Sequence, residues 1–255
     1  MTFIYLKPIL NGIMNEEKIR IGEAAKILGI SPQTLRNWEK AGKLLSERSE
    51  GKQRYYSREA LNKFALDIEK LGLVWATSAI PPGLPSEYYC ERSDRFTSRL
   101  SKMGDILLQT ERVSQDLASL ITLVVGEIGD NSFAHNIGNW PDTTGIFYAY
   151  DFTKRIIVLA DRGRGIKATL QQIRPSIATD TEALTVAFTE IVSGRNPEKR
   201  GNGLKVVRKV SESSEISLLF RSGIGLVSIL PSTSKKMKIT MADNNIRGTY
   251  CVITF

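Results

Sequence analysis

Residues 124–136 read VVGEIGDNSFAHN, and the chain is best understood outward from this stretch. On a helix, Glu127, Asn131 and His135 recur every four residues and share a face, while Val124, Val125 and Ile128 fall on the other side and anchor it in a core. A carboxylate that orients or deprotonates a water, beside an amide oxygen able to take one position of a hard cation, is the chemistry of magnesium-nucleotide handling. Acidic and amide residues four apart also occur on ordinary solvated helix faces. The stretch therefore gains meaning only from what answers it downstream.

Two glycine boxes answer it. The strand-like runs GIFYAYDF and RIIVLA lead into Asp161-Arg162-Gly163-Arg164-Gly165-Ile166. A carboxylate at a strand end can accept a hydrogen bond from an exocyclic amine, and neighbouring glycines let a flat base approach the backbone. Further on, Lys199-Arg200-Gly201-Asn202-Gly203-Leu204 opens a helix, LKVVRKVSE, whose free N-terminal amides and flanking cations favour phosphates. The chain closes in the strand pairs ISLLFRSGIGLVSIL and GTYCVITF.

The ordered set of Glu127 to Asn131, Asp161-x-Gly163-x-Gly165, Gly201-x-Gly203-Leu204 and Gly248-Thr249 resembles the GHKL ATPases, the group of gyrase-type enzymes, MutL, heat-shock chaperone ATPases and histidine kinases. The resemblance covers about residues 110–255. It implies a Bergerat fold, an α/β sandwich with ATP and Mg2+ between sheet and helices. It also implies Glu127 as general base or water positioner, Asn131 as magnesium ligand and Asp161 as adenine reader, with Thr249 near the adenine. Gly163, Gly165, Gly201, Gly203 and Leu204 would shape pocket and lid, with Lys199 and Arg200 at the phosphates. Residues 167–200 would form a mobile lid carrying Arg174, Arg195 and Arg200. His135 matches the histidine or basic position after the asparagine in the anti-sigma and sensor-kinase branches, which implies a phosphate contact. The chain has one histidine, so autophosphorylation on an upstream histidine is not expected. A transducer domain of the gyrase or MutL kind is not expected either.

The N-terminal part carries a different signal. IRIGEAAKILGISPQTLRNWEKAGKL reads as two short helices joined by a turn at Gly29, with Ala24, Ala25, Leu28, Leu35 and Trp38 inward and Ser31-Pro32 starting the second helix. Gln33, Thr34, Arg36, Asn37 and Lys40 are left outward, a polar set suited to base edges and phosphates. SERSEGKQRYYSREALNKF adds a turn at Glu50-Gly51, a basic and aromatic arm at Lys52, Arg54, Tyr55 and Tyr56, and a helix capped by Ser57. Ile21-Gly22-Glu23-Ala24-Ala25, Ser31 to Arg36, Trp38-Glu39 and Arg54-Tyr55-Tyr56-Ser57 together resemble the winged helix-turn-helix of MerR and excisionase-like regulators. By that resemblance Gln33, Thr34, Arg36 and Asn37 enter the major groove of double-stranded DNA, and Arg54 and Tyr55 grip its backbone.

Composition sets the frame for both signals. The 255 residues, 42% hydrophobic, suffice for an α+β protein of two domains, an all-α winged helix-turn-helix followed by the sandwich. A formal charge of +8 favours an anionic partner. Cys90 and Cys251 show no metal-ligand spacing, which fits a reducing cytoplasm, and no apolar run reaches the length of a membrane span. Residues 1–17 read as a tail, with Met14 an alternative start to Met1; 18–72 as the reader; and 73–93, with three of nine prolines, as a linker. From Asp94, Phe96, Leu100, Met103, Leu107, Thr110, Ser114, Leu117, Ile121 and Val124 keep a four-and-three spacing, so 94–118 is a candidate homodimer helix or one half of a helix pair within the chain. The residues 119–255 then form the ATP unit. The function expected is a DNA-binding regulator governed by Mg-ATP binding or slow hydrolysis. A serine/threonine protein kinase acting on a protein partner, and an accessory factor of a mobile element or defence system, are the alternatives.

Overall fold

A computed structural model of the chain describes residues 18–28, 31–40, 44–48, 53–58, 60–61, 67–111, 113–191, 203–230 and 236–255, with only the backbone of Thr34 and Trp38. The expected tail 1–17, the turns at Gly29 and Glu50-Gly51, Lys52, Arg195, Lys199, Arg200 and Gly201 lie outside the described residues.

The first unit starts with strand β1 (Lys18–Arg20) and helix α1 (Ile21–Ile27), followed by α2 (Pro32–Lys40), β2 (Glu47–Arg48) and β3 (Arg54–Ser57). Ala24, Ala25, Leu28 and Leu35 are buried, as their spacing predicts. Ser57 accepts from the backbone N–H of Ala60 at 3.0 Å, the expected cap. An all-α unit is not what forms. The order β1-β3-β2 makes an antiparallel three-stranded sheet, in which Tyr56 of β3 lies opposite Ile19 of β1 and both are buried in the small core.

Residues 73–93 are not a plain linker. Helix α3 (Ile68–Thr77) runs into them, capped by Asp67, which accepts from Lys70 N–H at 3.0 Å, and its Trp75 and Ala76 are buried. Only the proline-rich part from Ser78 to Pro85 is irregular, after which a 3-10 turn (Ser86–Tyr88) leads to the short edge strand β4 (Tyr89–Cys90). The prolines marked the irregular part correctly and hid the apolar helix before it.

The expected continuous seam is also interrupted. It divides into α4 (Ser93–Leu108) and α5 (Gln115–Asn136), and Ser114, which weakens the stripe, caps the second helix by accepting from Leu117 N–H at 3.1 Å. The two helices fold back as a hairpin: Phe96 meets Phe133 with ring centroids 6.1 Å apart, and a Cβ on Gly129 would lie 2.1 Å from the Phe96 ring. The seam residues Phe96, Met103, Leu107, Leu117, Ile121 and Val124 are thereby buried within one chain. Helix α5 is long and apolar enough to cross a membrane, yet it serves here as the central helix of a core.

The second unit is an antiparallel five-stranded sheet in the order β4-β5-β6-β8-β7, with β5 (Ile146–Asp151), β6 (Ile156–Asp161), β7 (Ser217–Ile229) and β8 (Lys238–Thr254). Strands β5 and β6 are buried along their whole length, which explains their uninterrupted apolar sequence. Successive side chains go to opposite cores. Tyr148, Ile157, Leu159, Cys251 and Ile253 face α4, α5 and α8 (Gly203–Ser213), whereas Phe147, Val158, Ala160, Tyr250 and Val252 face α3 and join the core of the first unit. The expected lid is largely structured, since α6 (Gly165–Gln171) and α7 (Asp180–Thr189) bury Leu170, Ala183, Leu184, Val186 and Phe188. The structure is thus mixed α+β, with a small N-terminal helix-turn-helix and a C-terminal antiparallel sheet.

Candidate functional site

Helix α5 brings the first set of polar groups to the sheet. Glu127 and Asn131 are half-buried beside the start of α8, so close that a Cβ on Gly203 would lie 2.5 Å from Glu127 Oε2 and 3.0 Å from Asn131 Nδ2. A side chain at 203 would push the ends of Glu127 and Asn131 aside. His135, one turn further on, is exposed at the rim of the same cavity, which Leu204 also borders.

Strand register supplies the second set. Asp161 on β6 lies opposite Thr249 on β8, which lies opposite Ser222 on β7, so three polar side chains form one row across the sheet. Just beyond Ser222 the β7–β8 ladder slips at a bulge, and Gly248 takes φ +70°. A Cβ on Gly248 would lie 2.3 Å from the Asp161 carbonyl oxygen, so glycine is required twice over. Asp161 is fully buried. Thr249 Oγ1 donates to its Oδ2, Ser132 Oγ donates to the same oxygen at 2.8 Å, and Gly163 N–H donates to Oδ1 at 2.8 Å. Burial pushes its carboxyl above the ordinary 3.8, against these three donors, which pull it down.

Several site residues were not marked by the sequence reading. Asn136 is buried: its Nδ2 donates to the Ser132 carbonyl at 2.8 Å, and its Oδ1 accepts from Arg164 N–H at 3.0 Å. It packs so tightly on Gly163 that a Cβ there would lie 2.1 Å away. Ser222 Oγ accepts from Ile166 N–H at 2.9 Å and donates to the Gly248 carbonyl at 3.0 Å, which ties the start of α6 to β8. Ser132 and Asn136 follow Ile128 at steps of four and could have been read from that spacing; Ser222 depends on strand register alone. Asn131, Ser132, Asn136, Asp161, Gly165 and Thr249 surround a cavity of about 30 Å3, roughly the space of one water.

The helix-turn-helix presents a separate polar face. Gln33 Nε2 donates to Asn37 Oδ1 at 3.1 Å and Arg36 Nη1 donates to Gln33 Oε1 at 3.2 Å, a ladder along the exposed side of α2, with Lys40 exposed beyond it. The side chain of Thr34 lies outside the described residues. Arg54 is turned inward: its Nε donates to Glu39 Oε2 at 2.5 Å, which locks the strand to α2 and holds the Glu39 carboxyl below its ordinary range. Arg54 thus braces α2 instead of standing free, while Tyr55 Oη donates to Gln53 Oε1 at 3.3 Å.

Residues 20–56 match the model of the MerR family regulatory proteins. The N-terminal unit is therefore a MerR-type helix-turn-helix, a module that reads DNA through its second helix. A Type II methyltransferase of Escherichia coli, M.Eco47II, is 46% identical over 52 residues, which are 20% of this chain and 12% of that enzyme.

Proposed function

We propose that the chain is a DNA-binding regulator whose C-terminal unit is a Bergerat-type Mg-ATP site that controls the reader. The observation that carries this reading is convergence. Asn131 of α5, Asp161 of β6, Leu204 of α8 and Thr249 of β8, separated by up to 118 positions between Asn131 and Thr249, line one small cavity, and Glu127 meets Gly203 beside Asn131.

The residues fit the groups the reading requires. Asp161, pinned by three donors, keeps an oxygen edge for an exocyclic amine, and the glycines at 163 and 248 let Asn136 and the β8 backbone close tightly around its loop. Glu127 and Asn131 offer hard oxygen donors of the kind Mg2+ takes, beside the amide-bearing start of α8. Bound Mg-ATP would supply a transferable phosphoryl group. Glu127 would orient or deprotonate the attacking water, and His135 at the rim would contact phosphate. The cavity of about 30 Å3 is far smaller than a nucleotide, so the start of α8 must draw back from Glu127 and Asn131 for entry. That movement is the switch, with DNA affinity following the occupied state.

The test follows γ-labelled ATP with magnesium and purified protein, beside Glu127→Ala, into free phosphate and labelled protein. Label in free phosphate that the variant loses supports the ATPase switch. Label on a co-purified protein favours instead a serine/threonine kinase, the reading that the rim position of His135 supports. Failure of wild-type protein to bind ATP at all sinks both.

A further inference from the structure

The loop that carries Asp161 also carries a side chain that the nucleotide reading does not use. Arg162 is 1% exposed, and a guanidinium that deep needs acceptors on every side. Two segments distant in sequence provide them. Its Nε and Nη2 donate to Asp142 at 2.6–3.2 Å, in the loop between α5 and β5. Its Nη1 donates to the Trp75 carbonyl at 2.5 Å, Nη2 reaches the Ala79 carbonyl at 3.5 Å, and the guanidinium lies 5.9 Å from the Trp75 ring centroid.

The Trp75 contact is chemically specific. Trp75 lies in the last turn of α3, which leaves carbonyls without helical partners and contains no basic residue. Arg162 supplies from the sheet the cation and donors that this helix end lacks. The other end of α3 belongs to the reader side, where Ile68 shares a core with Ile19, Leu35 and Leu61. Along its length the helix lies flush on the sheet, since a Cβ on Gly72 would meet Val158 at 2.9 Å. Asp142 also accepts from Arg247 Nη1 at 2.7 Å, and Arg247 immediately precedes Gly248 and Thr249 of the pocket. Both pocket segments are therefore tied to one carboxylate and, through Arg162, to the end of α3.

We propose that Arg162 is a positioning residue that couples the pocket to the helix-turn-helix, passing movement of the Asp161-to-Gly165 loop to the C-terminal end of α3. The inference rests on the ATP-binding reading above. An arginine concerned only with stability would hold α3 equally in every state of the pocket. The neighbours of Arg162 on both sides, Asp161 and Gly163, are bonded to each other across it at 2.8 Å, and Asp161 lines the cavity. A shift of that turn moves the guanidinium and the carbonyls it holds.

The test is amide hydrogen exchange on the full chain with and without Mg-ATP, for wild type, Arg162→Lys and Asp142→Asn. Segments 131–136 and 161–166 report occupation of the pocket, and residues 76–80 report the end of α3. In wild type both regions should respond. In the variants the pocket response should persist while the response at 76–80 falls by about 2–30-fold, the span of coupling changes carried by such residues. Asp142 is part-exposed at 26% and asparagine keeps an acceptor for Arg162, so the second variant serves if the first does not fold. A wild-type pocket that does not respond to ATP overturns the ATP reading and this inference together. A pocket that responds without any response at 76–80, or with an equal one in wild type and variants, overturns the coupling alone.

Discussion

Helices α2 and α5 carry the two sets of candidate functional side chains, and they are built in opposite ways. Helix α2 has nine residues and buries Leu35, while among the described residues Gln33, Arg36 and Asn37 bond to one another and Lys40 stands exposed. Helix α5 has 22 residues and is buried on most sides, and its polar strip matters only because β6, β8 and α8 arrive beside it. The exposed polar row of α2 lies within its own segment, although Glu39 ties the helix to Arg54. A pocket helix is one wall, and its meaning depends on the others.

The sharpest way to break this contrast is to remove the packing that seats α5. Phe96→Ala deletes a fully buried ring that packs against Phe133 and, edge-on at 5.2 Å, Tyr148. It should cost about 3–5 kcal/mol in urea unfolding. A loss below about 1 kcal/mol would mean that the α4–α5 hairpin is not the seat of the site.

Asp161→Asn comes next, and it separates site from fold. The amide is isosteric, and the Ser132 and Thr249 hydroxyls can turn from donor to acceptor. ATP affinity should fall by about 10–150-fold, the worth of a hydrogen bond to a charged group, measured with a fluorescent nucleotide. Stability should stay level or rise near neutral pH. Because burial raises the Asp161 carboxyl, its contribution to folding is fully present below 3.8 and lost as pH rises through its folded value; the amide removes that loss. A lowered melting temperature at pH 7 would show that the carboxylate is structural.

Arg36→Ala probes the other helix. Its long, exposed-side cation should matter at one base position, by about 1–3 kcal/mol of discrimination in a mobility-shift series, with ATP affinity unchanged. Equal loss on every DNA sequence would reassign Arg36 to the phosphate backbone. The smallest effect is expected at Asp142, whose carboxyl is held low chiefly by the Arg162 hydrogen bond. Its contribution is present above 3.8 and lost as pH falls through its folded value, so wild type should lose stability in acid faster than Asp142→Asn. Parallel acid transitions would contradict the pairing.

These two helices also divide what could be read in advance. The inward Ala24, Ala25, Leu28 and Leu35 and the cap at Ser57 were legible because helical period and capping act within a few residues. Glu127 and Asn131 were legible for the same reason, and Asp161 and the glycines as short motifs contiguous in sequence. The break at 109–114 was not, since Thr110 and Ser114 kept the stripe's spacing while Ser114 capped a new helix. The partner of Arg54 was not legible either, because nothing local foretells Glu39, 15 residues away.

From the sequence alone followed the two helices of the helix-turn-helix, the polar groups spaced along α5, the long strands of the C-terminal sheet and the glycine positions, all of them consequences of local steric and periodic rules. The tertiary structure decided that the seam closes within one chain, that both faces of the sheet are covered, that Asn136 and Ser222 buttress the Asp161 loop and the start of α6, and that Arg162 is bonded to Asp142 and Trp75. Those outcomes depend on strand register and on which buried donor meets which acceptor. Such partners lie tens of residues apart, where no local pattern reaches.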